Sequence, residues 1–222
     1  MSWTYLAAPA TIAAYLGFAR LHARHRSLLT LPILAATVAL AAALSTPLGD
    51  VAGYEHGTMP LRFLLGPATL ALAVPLARQR ALLKAQARAL PAVAVGAVVG
   101  VASAVGLART MNLAPRLVAT LAPKSVTTPM AMPISERLGG LPTLTAAIVV
   151  LVGVFGGAIG PRLLDRLGVR GAVARGLALG TSSHGVGTAT ALAEGEAQGA
   201  AAGVAMVVAG VVTGLVAPLW FP

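Results

Sequence analysis

Gly180-Thr181-Ser182-Ser183-His184-Gly185-Val186-Gly187-Thr188-Ala189-Thr190-Ala191-Leu192-Ala193-Glu194 is the stretch on which the reading of this chain turns. Apolar sequence surrounds it, yet it gathers five hydroxyl side chains, one histidine and three glycines. In a bilayer each polar group without a partner costs several kcal/mol, so such a stretch survives only where protein or a water-filled cavity covers it. Two readings stand side by side. In one, the small residues let a helix approach its neighbour closely. In the other, Gly180, Gly185 and Gly187 relax the backbone of a broken helix that lines a solute site.

Composition sets the class in which either reading operates. Of 222 residues, 57% are hydrophobic and 10% charged, which implies an all-α polytopic membrane protein rather than a water-soluble domain. The formal charge of +10 would point to nucleic acid in a soluble chain. Here the basic residues fall in short loops between apolar runs, so the lipid bilayer is the partner and nucleic acid is not. The chain has no cysteine, which excludes disulfides and thiolate metal ligands, and four scattered histidines make no metal site. No metal or other cofactor is expected. The first apolar run lacks a basic segment before it and a small-residue cleavage site after it, so it is not read as a cleaved signal peptide.

Working outward from the motif, the apolar runs fall at about 3–18, 28–48, 61–77, 90–107, 141–159, 176–193 and 200–220. Basic loops follow the first, third and fifth of these. Leu113 to Ser135 is different. Pro115, Pro123, Pro129 and Pro133 each remove a backbone donor, so an unbroken helix is excluded and a re-entrant hairpin or a pair of half-helices is expected. Placing the three basic loops in the cytoplasm gives about seven crossings plus that hairpin, which enters and leaves from the outer side. The acidic positions around Asp50 and Glu55, and Glu194 and Glu196, then lie outside.

An internal echo supports a duplicated plan within a single membrane domain. Leu31-Pro32-Ile33-Leu34-Ala35-Ala36 returns as Leu141-Pro142-Thr143-Leu144-Thr145-Ala146, and Gly66-Pro67-Ala68-Thr69 as Gly187-Thr188-Ala189-Thr190. Repeat 1 spans about 28–108, the linking hairpin about 113–135 and repeat 2 about 140–220. With three crossings each, the repeats are inverted. Inverted repeats with short, Gly/Pro-interrupted segments mark transporters whose site lies near the membrane midplane.

The polar residues within the apolar runs indicate what such a site would hold. All six acids lie in expected loops or at segment ends. The interior set is Lys124, Ser125, Thr127, Thr128, Thr181, Ser182, Ser183, His184, Thr188 and Thr190, which suits an anion. A lysine within the membrane costs about 2.5–3.5 kcal/mol on insertion scales, and a bound carboxylate offsets that by charge pairing. Pro123 and Pro129 are expected to break the helix there. Half-helix N-termini, each worth about half a positive charge, would add to the pairing together with free backbone donors. Pro67, Thr69 and Pro75 are expected to bend their segment beside the site. For Lys124 the plain alternative is snorkelling to the interface. His184 is expected to meet Lys124 around the substrate carboxylate, shuttling a proton or donating to a substrate oxygen, and its plain alternative is a structural hydrogen bond between helices. Ser182 and Ser183 adjoin His184, but no interior acid is present to orient a base, so no catalytic residue and no enzyme activity are expected.

At these motifs the chain resembles the LrgB family, also called CidB or YohK-like proteins. The resemblance is carried by Leu65-Gly66-Pro67-Ala68 through Ala73-Val74-Pro75-Leu76, by Pro123-Lys124-Ser125-Val126-Thr127-Thr128-Pro129, and by Gly180 to Ala189. Departures fall at Val74, Ala77 and Leu31-Pro32, where members often carry an aromatic, a tyrosine and Asn-Pro. The resemblance implies a multi-pass protein of the bacterial inner membrane, expected as a homo-oligomer and beside a small LrgA/CidA-type membrane partner. It implies two functions. One is a carrier of small monocarboxylates such as glycolate, glycerate or pyruvate, as in the plastid glycolate/glycerate translocator, working by alternating access. The alternative is a holin/antiholin-like protein that modulates murein hydrolase activity and cell lysis.

Overall fold

The computed structural model describes residues 3–25, 30–71, 84 and 87–221, and these are helical, with turns between and no strand among the described residues. They fall in two compact units, Met1–Ala71 and Leu72–Pro222.

The first unit holds α1 (Trp3–Arg24), α2 (Pro32–Leu44), α3 (Val51–Gly57) and α4 (Met59–Ala71). Pro32 opens α2 where its missing N–H would have no partner anyway. The acidic loop proves partly helical because Asp50 caps α3, accepting from the Gly53 amide at 2.8 Å. Tyr54 of α3 meets Trp3 of α1 edge-on at 6.0 Å between ring centroids, and its hydroxyl lies 2.8 Å from Thr11 Oγ1. Helix α4 runs on through Pro67 to Ala71, so the helix does not end at Pro67: one lost donor leaves the flanking helix bonds in place. Thr69 lies in the same helix, and Pro75 lies outside the described residues.

The second unit comprises α5 (Leu90–Thr110), α6 (Pro115–Leu121), α7 (Thr128–Arg137), α8 (Pro142–Arg166), α9 (Ala172–Glu194) and α10 (Glu196–Val216). Three of its helical stretches, Ala87–Thr110, Pro142–Arg166 and Glu196–Trp220, are long and apolar enough to cross a membrane among the described residues. The proline-rich stretch forms two half-helices, α6 and α7, joined by a turn at 122–127. Helix α6 turns back along α5: Leu113 packs in one cluster with Ala108, and Ser125 reaches the level of Gly100. Helix α7 returns along α8, with Val126 and Ala131 against Val149, and Ser135 Oγ 2.7 Å from Thr145 Oγ1.

Helix α9 is the element that departs from expectation. A straight helix separates Arg175 from Glu194 by about 28 Å at 1.5 Å per residue. Instead Arg175 Nε donates to Glu194 Oε2 at 2.7 Å and Nη2 to Oε1 at 2.8 Å. The chain reverses at Ser183 (φ −134°, ψ 17°) and His184 (φ 42°, ψ −129°), so the two halves lie side by side. Leu179 and Ala191 accordingly share one buried cluster, and Gly187 sits against the Leu179 carbonyl.

The reversal corrects two expectations. The stretch 176–193 does not run straight as one span, and Glu194 does not lie at the far end from the basic loop 162–175. It closes the mouth of the folded-back element, where Arg175 also donates to Asp165 at 2.7 Å. Hydrogen bonding to Glu194 first, then Asp165, raises the guanidinium pKa above its ordinary value. Since the chain has no cysteine, spin labels on the double variant Ala172→Cys, Ala193→Cys report on this element alone. They should lie at less than half of the about 30 Å that a continuous helix imposes.

Candidate functional site

Small residues create the room in which the two turned-back elements meet. Along α8, Gly153, Gly156, Gly157 and Gly160 face α9. A Cβ on Gly153 would lie 2.6 Å from His184 Cε1, and one on Gly157 2.8 Å from Thr190 Oγ1. Without those side chains the imidazole slides against α8 and its Nε2 donates to the Val149 carbonyl at 2.9 Å. A carbonyl only accepts, so Nε2 carries the hydrogen. This bond holds a non-glycine residue at positive φ, a conformation that costs about 1–3 kcal/mol. On the other side of α9, Gly176 and Gly180 bring the first half against the Gln198 and Ala202 carbonyls of α10. Gly180 is thus a packing glycine. The reversal lies at Ser183–His184, with Gly185 in open space just beyond it.

Lys124 sits half-buried in the 122–127 turn, donates from Nζ to Ser125 Oγ at 3.1 Å, and pairs with no carboxylate among the described residues. Two cavities meet around it. The larger, about 650 Å³, is lined at its polar end by Lys124, Ser125, Thr181, Ser182 and Thr213. The smaller, about 500 Å³, follows α8 and includes Lys124, Ser182 and Ser183. Lys124, Val152 and Ser182 line both. The turn of one half-helix pair and the reversal of the other therefore contribute to the same space.

The remaining expected residues separate into two groups. Thr181 Oγ1 donates to Leu177 O at 2.7 Å and Ser182 Oγ to Ala178 O at 2.8 Å, yet both still face the larger cavity. Ser183 is fully buried, with its Oγ 3.0 Å from that of Ser182. Thr127 caps α7 by position, and its Oγ1 is buried without a hydrogen-bond partner. Thr128 is half-buried at the start of α7, Pro129 follows it, and Pro123 is buried in the turn. His184 and Thr188 line neither cavity: Thr188 Oγ1 donates to His184 O at 2.9 Å inside the second half of α9. His184 thus takes the structural alternative, and Lys124 meets Ser182 rather than His184.

The sequence reading did not single out three features. Thr120, Ser135 and Thr145, all fully buried, tie α6 and α7 to α8, with Thr145 Oγ1 3.0 Å from Thr120 O. Their signal was the presence of hydroxyls at proline-flanked, otherwise apolar positions. The glycine row of α8 was visible as Gly153, Gly156/Gly157 and Gly160, a spacing that keeps one helix face bare. Thr213 gave no local signal. Replacing Gly153 by Val should cost about 1–3 kcal/mol in an unfolding titration, because the held imidazole cannot give way. Gly185→Ala, which meets open space, should stay within about 0.5 kcal/mol of the parent.

Comparison with known proteins follows from the same motifs. Residues 11–222 match the LrgB-like family. "Uncharacterized protein YxaC" of Bacillus subtilis (strain 168) is 37% identical over 82% of this chain and 80% of its own length. "Uncharacterized protein YwbG" of the same strain is 36% identical over 82% of this chain and 81% of its own. "Antiholin-like protein LrgB" of Bacillus cereus (strain B4264) is 35% identical over 63% of this chain and 61% of its own. No solved structure matches. The extent of the family match, together with the apolar helices that frame Lys124 and the α9 reversal, makes this chain a membrane protein of the LrgB-like family.

Proposed function

We propose that the second unit binds a small organic anion where the two turned-back elements meet, and that the chain carries small monocarboxylates such as glycolate, glycerate or pyruvate across the bacterial inner membrane. The observation that carries this reading is the shared lining of the two cavities by Lys124 and Ser182. In this reading α5, α8 and α10 cross the membrane, while the α6–α7 pair and α9 are re-entrant from opposite sides. Helix α5 with the α6–α7 hairpin then has the inverse topology of α8 with the α9 hairpin, an arrangement of the kind that alternating access uses. Lys124 supplies the positive charge, Ser125 a hydroxyl, and no nearby carboxylate among the described residues competes for the anion. With α9 re-entrant, the expected crossing at 176–193 drops out of the plan of seven, and the inverted units become α5 with its hairpin and α8 with its hairpin instead of 28–108 and 140–220. A homo-oligomer and an LrgA-type partner belong to this proposal.

The names of relatives favour a second reading. "Antiholin-like protein LrgB" in several Bacillus strains supports a protein that modulates murein hydrolase activity and lysis, and none of those names speaks of transport. The comparisons thus support the antiholin-like reading, and the carrier reading rests on geometry. No enzymatic step is assigned to any residue in either.

Uptake of labelled pyruvate, glycolate and glycerate into liposomes holding the purified chain separates the two. The carrier reading expects saturable uptake that falls about tenfold or more in Lys124→Gln, the value of one charge-assisted hydrogen bond. Release of a large trapped dye without saturable uptake of any acid favours the antiholin-like reading.

A further inference from the structure

The larger cavity has an internal polarity that the choice of a small hydroxy or oxo acid does not explain. Along the first half of α9, Ala174, Leu177 and Ala178 line it near the mouth, and Thr181 and Ser182 near the reversal. Ala89, just before α5, and Ala92 and Val93 on it lie at the same end as the α9 mouth, and Gly100 at the end with Ser125. The space is therefore apolar over one part and polar over the other. At the polar end the Thr181 and Ser182 hydroxyls donate into their own helix, which leaves Lys124, Ser125 and Thr213 as side-chain donors for an anion. One cation with no carboxylate beside it among the described residues matches a single negative charge. The volume of about 650 Å³ lies within the range that encloses ligands much larger than a three-carbon acid.

We propose that the larger cavity selects monocarboxylates with a straight or branched hydrocarbon body over two- and three-carbon acids. The carboxylate pairs with Lys124, and the body lies along Ala92, Val93, Leu177 and Ala178. This inference rests on the anion-binding reading above, and it puts longer monocarboxylates ahead of the two- and three-carbon acids named there. Each methylene that leaves water for these walls strengthens binding by about fourfold. A second carboxylate would fall against alanine and leucine with nothing to neutralise it.

The test is titration calorimetry on the full chain in nanodiscs, against empty discs, with acetate, butyrate, hexanoate, 4-methyl-2-oxopentanoate, glutarate and 1-hexanol. Affinity should rise from acetate to hexanoate by roughly two orders of magnitude, with 4-methyl-2-oxopentanoate near the top. Glutarate should bind at least about tenfold more weakly than hexanoate, as should 1-hexanol. Lys124→Gln should weaken every acid, and Ala178→Phe, which fills the apolar part, should flatten the dependence on chain length. Equal, Lys124-dependent binding of all the acids overturns this inference and leaves the anion site standing. No Lys124-dependent binding of any acid removes the anion site and the inference with it. Binding of 1-hexanol as tight as hexanoate, unchanged in Lys124→Gln, overturns the inference by showing an apolar groove that accepts lipid-like chains without reading charge.

Discussion

The hydrogen bond from His184 to the Val149 carbonyl, with the reversal of α9 that it accompanies, is the constraint on which the second unit depends. A histidine at positive φ inside an apolar element is costly by itself. It persists because Gly153 leaves room for the ring and Val149 offers an acceptor at 2.9 Å. At the other end, Arg175 clamps Glu194 and Asp165, fixing both arms of the hairpin to the end of α8. Between these two ties the half-helices need few large side chains. Glycines and alanines let backbone meet backbone, which is how helices associate where the surroundings are as apolar as a leucine.

This frame explains why the polar residues stand where they do. Ser182 and Thr181 are exposed to the cavities because the chain turns just beyond them. Lys124 meets them from the opposite hairpin because α6 descends along α5 and α7 returns along α8, tied by Thr120, Ser135 and Thr145. The polar centre is thus formed by two turns rather than by one helix face. A turn leaves backbone groups free for a solute, which an intact helix does not.

The all-helical membrane class, the broken character of Pro123–Pro129 and of Gly180–Gly187, and the family followed from residues alone. Prolines remove donors wherever they stand, and hydroxyls in an apolar run mark protein-covered positions. The reversal of α9 was not legible, because a break in a helix does not say by what angle the chain leaves it. Arg175 and Glu194 are nineteen residues apart, and no helical spacing flags them as partners. The role of His184 was legible only as one of two alternatives, since Val149 offers a backbone group that any residue there would provide. Pro67 lies inside α4 because a proline lowers helix stability without setting where the helix ends.

Sidedness tests the account most directly. The chain has no cysteine of its own, so Met111→Cys, Arg137→Cys, Arg170→Cys and Ala197→Cys each carry a single thiol. Each variant can be labelled in sealed vesicles with a membrane-impermeant thiol reagent. Opposed re-entrant hairpins require positions 170 and 197 to react from one side, and positions 111 and 137 from the other. Labelling of positions 170 and 197 from opposite sides would mean that α9 crosses the membrane, and would contradict the meeting of two hairpin tips at Lys124.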